Sequence, residues 1–324
     1  MREDVEAQPH QIADALWRVG GADIPRRDLA GGLVVCGMGG SAVGGDLAAA
    51  ALVGDATRPM VTVRGYELGS WIGPDHLALC ASYSGSTEET LSCFDAAGRA
   101  GAHRVALTTG GELAERARAE GVPVIGVPFG MQPRAAVVYM TVAAMQCATA
   151  CGAAPDVTAR IEAAGAAIEA VIADRETVDA IAGRLGGTIP VVYGAASDVS
   201  VAKRWKNQFN ENAKLASFAG EVPEICHNEI EGWAHGREHA PLAAVLLASP
   251  GVHERNARRL DVLAETVAAT GAPVVRAEGV GDERIANVMS LVTLGDLVSV
   301  RVAELAWVDP DAIDAIQGFK TALD

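Results

Sequence analysis

Apolar residues in this chain gather into short aliphatic runs, separated by glycine or hydroxyl turns and by segments of helical period. Gly31–Gly37 (GGLVVCG) is one such run, and its lack of polar alternation predicts a strand buried on both faces. The next residues, GGSAVGGDLAAAALVG, predict a glycine turn that opens a helix. Met60–Arg64, His76–Ser82, Arg104–Thr108 and Val122–Val127 predict four further strands, with the capped helix SGSTEETLSCFDAAGRA after the second of them. Strand and helix alternate, which predicts a parallel sheet with helices on both faces.

The pattern then restarts. Residues 135–185 read as helix, broken at Gly152–Pro155. Ile189–Gly194 predicts a strand, Ser197–Lys214 a helical stretch, and Leu242–Ala248 and Pro273–Val275 two more strands. Residues 285–306 and Ala312–Leu323 predict the closing helices. The expected organisation is two α/β halves, 1–152 and 153–324, with the look of a diverged duplication.

Composition narrows the function classes. The 324 residues are half hydrophobic with a mean hydropathy of +0.20, too apolar for a disordered chain. A net charge of −15 repels phosphate backbones, so no nucleic-acid partner is expected, although a local cationic pocket can still hold a small anion. The N-terminus MREDVEAQPH is polar and acidic and predicts no signal peptide. Residues 135–155 carry no charge, but their alanine, threonine and glutamine content predicts a buried helix rather than a membrane span. Six cysteines without CxxC spacing predict free thiols in apolar surroundings. The expected compartment is the cytoplasm, with no membrane partner.

Two turns carry candidate chemistry. Gly37-Met38-Gly39-Gly40-Ser41-Ala42 matches the dinucleotide fingerprint after a strand, where glycines let backbone amides approach an anion. The acid that a dinucleotide site needs at the end of the second strand is absent; Arg64 stands there, which leaves a 2′-phosphate and an NADP-dependent oxidoreductase as one reading. Ser82-Tyr83-Ser84-Gly85-Ser86-Thr87 ends the third strand with four small hydroxyls, and Ser86 to Glu89 has the form of a capping box. A cap uses one hydroxyl, so the surplus points to a monoester phosphate cradle.

The second half adds titratable groups. Only four lysines occur, and three of them lie in Lys203–Lys214 (KRWKNQFNENAK), where Asn207, Glu211 and Lys214 share a helix face. On its own that is also the pattern of a solvated, salt-bridged face. In PEICHNEIEGW, apolar Ile230 and Trp233 interleave with His227 and acids. His227, His235 and His239 lack metal-site spacing, so no metal is expected.

Taken together, SYSGSTEET, GMGGSAVGGDL, QPRAA and NENAK…HNEIEGW resemble the bifunctional phosphoglucose/phosphomannose isomerases, from about Gly31 to the C-terminus. The resemblance implies two sugar isomerase (SIS) domains, each a parallel-sheet αβα sandwich. It implies a phosphorylated hexose substrate, no cofactor, and a homodimer. By the same resemblance Glu211 is the proton-shuttling base, His227 the ring-opening histidine supplied by the adjacent subunit, and Lys320 a ring-opening lysine. Arg134 stands near the enediolate, Ser82, Ser84 and Thr87 hold phosphate, and Gly39, Gly40 and Ser41 lie beside the sugar. A non-catalytic phosphosugar sensor is the competing reading. One departure bears on the mannose activity: the family's threonine shortly before the C-terminal lysine is absent from 309–319, and Thr321 follows Lys320.

Overall fold

The structure is a computed structural model that describes residues 1–236 and 240–323, without the side chains of His235 and Lys320. Two compact units share the chain: one comprises Glu6–Ala166 and Glu283–Ala286, the other Met1–Val5, Ala167–Asp282 and Asn287–Asp324.

Two helices, α1 (Arg2–Glu6) and α2 (Gln8–Gly21), precede the first sheet. β1 (Gly32–Gly37) leads to α3 (Gly39–Leu52), β2 (Met60–Val63) and β3 (His76–Ala81). Then come α4 (Glu88–Arg99), β4 (His103–Thr108), α5 (Gly111–Ala119), β5 (Val124–Gly126) and α6 (Val137–Ala150). The strands form one parallel sheet in the order β2-β1-β3-β4-β5, with Cys36 beside Cys80 and Gly37 beside Ala81. Every residue of β1 and β3 is buried, as layers on both faces require. One face seats Val34, Cys36, Ala78, Cys80 and Ala106 against Leu91, Phe94 and Leu113. Each fully buried Phe or Leu there contributes about 1.5–3 kcal/mol. Elsewhere in this unit α3 lies close against α6: a Cβ on Gly44 would stand 2.4 Å from Met140 Cβ, so only glycine fits.

α7 (Thr158–Ala173) and α8 (Arg175–Leu185) lead into the second sheet, followed by β6 (Ile189–Ala195), α9 (Asp198–Glu211) and β7 (Phe218–Val222). α10 (Glu229–Gly236), β8 (Leu242–Ala248), α11 (Glu254–Ala269), β9 (Val274–Glu278), α12 (Arg284–Leu305) and α13 (Asp314–Thr321) complete it. This sheet is also parallel, in the order β7-β6-β8-β9. β7 has no counterpart among the predicted strands. It lies at the sheet edge, and four of its five residues are not buried, so FAGEV lacks the aliphatic run that betrays an inner strand.

The uncharged stretch at 135–155 forms α6, buried at almost every position. α12 is long and apolar enough to span a membrane, and 94% of that stretch is buried within the protein.

Candidate active site

In an open parallel sheet, ligands bind beyond the carboxyl ends of the strands where the strand order reverses. In the first unit that point lies between β1 and β3, and the two motif turns leave the sheet there. Gly39 and Gly40 open α3, whose N-cap, Met38, has no side-chain cap. Gly40 admits the segment from QPRAA: a Cβ on it would lie 3.1 Å from the Pro133 carbonyl oxygen and 3.2 Å from Arg134 Cα. Arg134 stands in the 3-10 turn Pro133–Ala136, and its side chain is buried, with Nη1 donating to Gln132 Oε1 at 3.4 Å. Ser41 is buried, and its Oγ accepts from the Tyr83 amide at 3.3 Å, which joins the two turns.

The hydroxyl turn is organised differently from a capping box. α4 starts at Glu88 with Thr87 as its N-cap, and no side chain caps the helix. Thr87 Oγ1 instead lies 2.8 Å from Ser82 Oγ, which also accepts from the Gly85 amide at 3.1 Å. The Ser86 amide donates to Ser84 Oγ at 3.3 Å. The Ser86–Glu89 box is therefore not formed, because Ser86 precedes the N-cap and faces Ser84. Gly85 sits at φ +73°, and a Cβ there would lie 1.9 Å from the Gly110 carbonyl oxygen. Tyr83 pins the turn from below, donating to the Pro128 carbonyl at 3.1 Å and accepting from the Met131 amide at 2.9 Å. The result is a helix N-terminus with positive dipole, no internal cap, and hydroxyls from Ser82, Ser84 and Thr87 around it. Gly39, Gly40, Ser41, Ser82, Ser84, Thr87 and Arg134 thus gather beyond the carboxyl ends of β1 and β3. Arg64 is already occupied: it pairs with Asp46 of α3.

In the second unit, Glu211 is the last residue of α9 and is half-buried. Asn207, on the same face, is also half-buried and Lys214 is exposed, while the neighbouring stripe of the helix turns inward. Arg204, Gln208 and Asn212, spaced i, i+4 and i+8, are all buried. Lys214 lies past the helix end at φ +55°, with Nζ donating to the Glu211 carbonyl at 2.6 Å and the Asp309 carbonyl at 3.0 Å. It ties the end of α9 to the segment before α13. Lys320 lies on α13, and its side chain is outside the described residues.

His227 ends the 3-10 turn Glu224–His227 that follows edge strand β7, and its side chain is exposed. Ile225 anchors that turn in the core. Beside it, Trp233 Nε1 donates to Tyr193 Oη at 2.8 Å, and Tyr193 donates to Glu229 at 2.9 Å. Among the described residues no group of three or more His, Cys, Asp or Glu is arranged to hold a metal ion. His239 and the side chain of His235 lie outside the described residues. All six cysteines are free.

The switch point of the second unit reproduces the first in register but not in chemistry. Gly37 pairs with Ala81, and Tyr83, two residues on, donates its amide to Ser41, four residues after Gly37. Tyr193 pairs with Leu246, so Gly194 corresponds to Gly37, Asp198 to Ser41 and Ser249 to Tyr83. The Ser249 amide donates to Asp198 Oδ2 at 2.8 Å and its hydroxyl to Oδ1 at 2.6 Å, with Asp198 fully buried. A carboxylate fills this turn, where the first unit presents hydroxyls. Sequence reading missed Asp198, because a single acid after a strand carries no signal of its own.

Fold and site define a chain of two SIS-type units, the first with a hydroxyl-lined turn at an uncapped helix N-terminus. Comparison with known proteins agrees. The family model described as the bacterial phospho-glucose isomerase C-terminal SIS domain matches residues 175–323. The bifunctional phosphoglucose/phosphomannose isomerase of Aquifex aeolicus is 33% identical over 90% of this chain and 90% of its own. That of Caldicellulosiruptor bescii is 32% identical over 100% of this chain and 98% of its own. Among solved structures, the C-terminal domain of glucosamine-fructose-6-phosphate aminotransferase from Francisella tularensis superimposes with a TM-score of 0.72. It is 13% identical, with 94% of this chain and 96% of that one covered, a likeness of fold. The chain belongs to the bifunctional phosphoglucose/phosphomannose isomerase family.

Proposed function

We propose that this protein interconverts fructose 6-phosphate with glucose 6-phosphate and mannose 6-phosphate through a cis-enediol. The observation that carries this reading is the uncapped N-terminus of α4 ringed by Ser82, Ser84 and Thr87, in a chain of this family. A phosphomonoester there neutralises the helix dipole and accepts from the hydroxyls. Binding energy from the phosphate, remote from the reacting carbons, then positions the sugar.

The chemistry at C1 and C2 requires a carboxylate to take the aldose C2 proton and return it to C1. We assign that base to Glu211. Arg134 places fixed positive charge near the developing enediolate oxygen. His227 and Lys320 serve ring opening, moving a proton between the ring oxygen and the anomeric hydroxyl. The exposure of His227 on a turn beside an edge strand suits a side chain offered to a second copy of the chain. We therefore place the active form as a homodimer. Six free thiols favour a reducing compartment, the cytoplasm.

A sensor with no catalysis has no use for Glu211 fixed at a helix end by Lys214 and the buried Asn212. Glu211→Gln tests the base directly. The variant is expected to keep its thermal stability and substrate affinity while kcat falls at least about 100-fold, the scale of lost general-base catalysis. Retention of most of the turnover would remove Glu211 from this role.

A further inference from the structure

The buried stripe on α9 meets α12 through polar contacts at successive levels. Arg204 Nε donates to Asp296 Oδ1 at 3.0 Å and Nη2 to Oδ2 at 2.7 Å, a two-pronged ion pair with side chains 2% and 1% exposed. Trp205 Nε1 donates to the Leu291 carbonyl at 2.8 Å, and its indole rests on Gly295, where a Cβ would lie 2.3 Å from Nε1. One residue past Glu211, Asn212 Nδ2 donates to Ser299 Oγ at 2.9 Å, and Ser299 in turn donates to the Asp296 carbonyl at 2.8 Å. The contacts tie α9 to α12 from Arg204 to Asn212, the residue next to Glu211.

A buried ion pair is a poor device for stability. Desolvation offsets most of its attraction, and apolar residues of the same volume often serve the fold as well or better. What a bidentate pair does supply is register. Apolar side chains accept small slides of one helix on another, whereas the fork of Arg204 on Asp296 has one productive alignment. A slip of one residue moves a helix by about 1.5 Å and turns it by about 100°, and misplacement of a reacting group by about 1 Å can cost about 100-fold in rate.

We propose that Arg204, Asp296 and the Asn212–Ser299 bond are positioning residues: they fix the rotation and axial height of α9, and so the place of the Glu211 carboxylate. The proposal rests on Glu211 being the base, and it assigns to the α9–α12 packing the task of holding that base still.

The test pairs Arg204→Met/Asp296→Leu with Glu211→Gln, measured for thermal stability, KM and kcat in fructose 6-phosphate isomerisation. The double variant is expected to melt no lower than the parent, with KM within about two-fold and kcat down between about 10- and 100-fold. A stable double variant with parental kcat overturns the positioning role. Should the double variant not fold, Ser299→Ala carries the same prediction: a severalfold loss of kcat at unchanged KM supports the role, and parental kcat overturns it. Glu211→Gln separates the two levels. If it keeps its turnover, the assignment of the base fails; if it is inactive while the α9–α12 variants keep parental kcat, only the positioning role fails.

Discussion

Single residues decide the two properties that composition left open, the state of the thiols and the shape of the turns. Cys36, Cys93, Cys147 and Cys151 are buried. The neighbouring thiol Cys80 pushes Cys36 up, the Cys36 thiol pushes Cys93 up, and burial pushes Cys147 and Cys151 up, all above the ordinary thiol range. Cys226 is also raised by burial but remains half-exposed. A thiol titration of the native protein at pH 8 should therefore find one slowly reacting group, Cys226, and six on denaturation. Rapid reaction of several thiols in the folded protein would contradict the packing. The sign with pH follows. Above about pH 8.5 the unfolded chain ionises its thiols first, so stability falls as pH rises further. Gly85 shows the same dependence on a single atom. At φ +73° against the Gly110 carbonyl it has no room for a Cβ, and the hydroxyl turn can form only with glycine there.

Elements differ in how plainly the sequence announces them. β1, β3, β6 and β8 are inner strands covered on both faces, so each is an unbroken aliphatic run readable without context. β7 was invisible for the opposite reason: at the edge, Phe218, Ala219 and Glu221 are exposed and the run is broken. α9 was readable on one side only. The face of Asn207, Glu211 and Lys214 stays at least partly open, whereas burial of Arg204 and Asn212 was not readable, because their partners on α12 lie some 90 residues away in sequence. The hydroxyl turn was legible as a cluster of hydroxyls at a helix start, but not in detail. The S-x-x-E pattern favours a Ser86 cap, whereas in the structure Thr87 is the N-cap, its hydroxyl is bonded to Ser82, and the helix starts at Glu88. That bond makes the N-terminus of α4 an element with a testable duty. Thr87→Val keeps the shape and removes the hydroxyl. KM for the phosphosugar should rise about 10-fold, the worth of one hydrogen bond to a charged group, with kcat nearly unchanged. An unchanged KM would place the phosphate elsewhere.

At the scale of the whole molecule, two units carry matching switch points of different chemistry. The first keeps open hydroxyls at its reversal of strand order; the second fills the matching position with Asp198, bonded twice to Ser249. The two-unit α/β organisation was readable from strand-helix alternation, and the make-up of each turn from its own motif, because each motif lies within one turn. The bond from Asn212, beside Glu211, to Ser299 was not, since helix packing brings those two residues together across 87 positions. If His227 completes the site of a second copy, a single chain is incomplete. Specific activity should then fall on dilution in step with dissociation observed by sedimentation, and activity constant down to a demonstrated monomer would contradict the shared site. Residues 309–319 contain no threonine before Lys320, so the yield of the mannose product is the part of the assay that bears on this departure. The most direct measurement is a coupled assay of the purified protein on fructose 6-phosphate that detects the two aldose products separately. The account predicts both glucose 6-phosphate and mannose 6-phosphate, with both lost in Glu211→Gln. Formation of neither product by a protein that still binds the phosphosugar would contradict it.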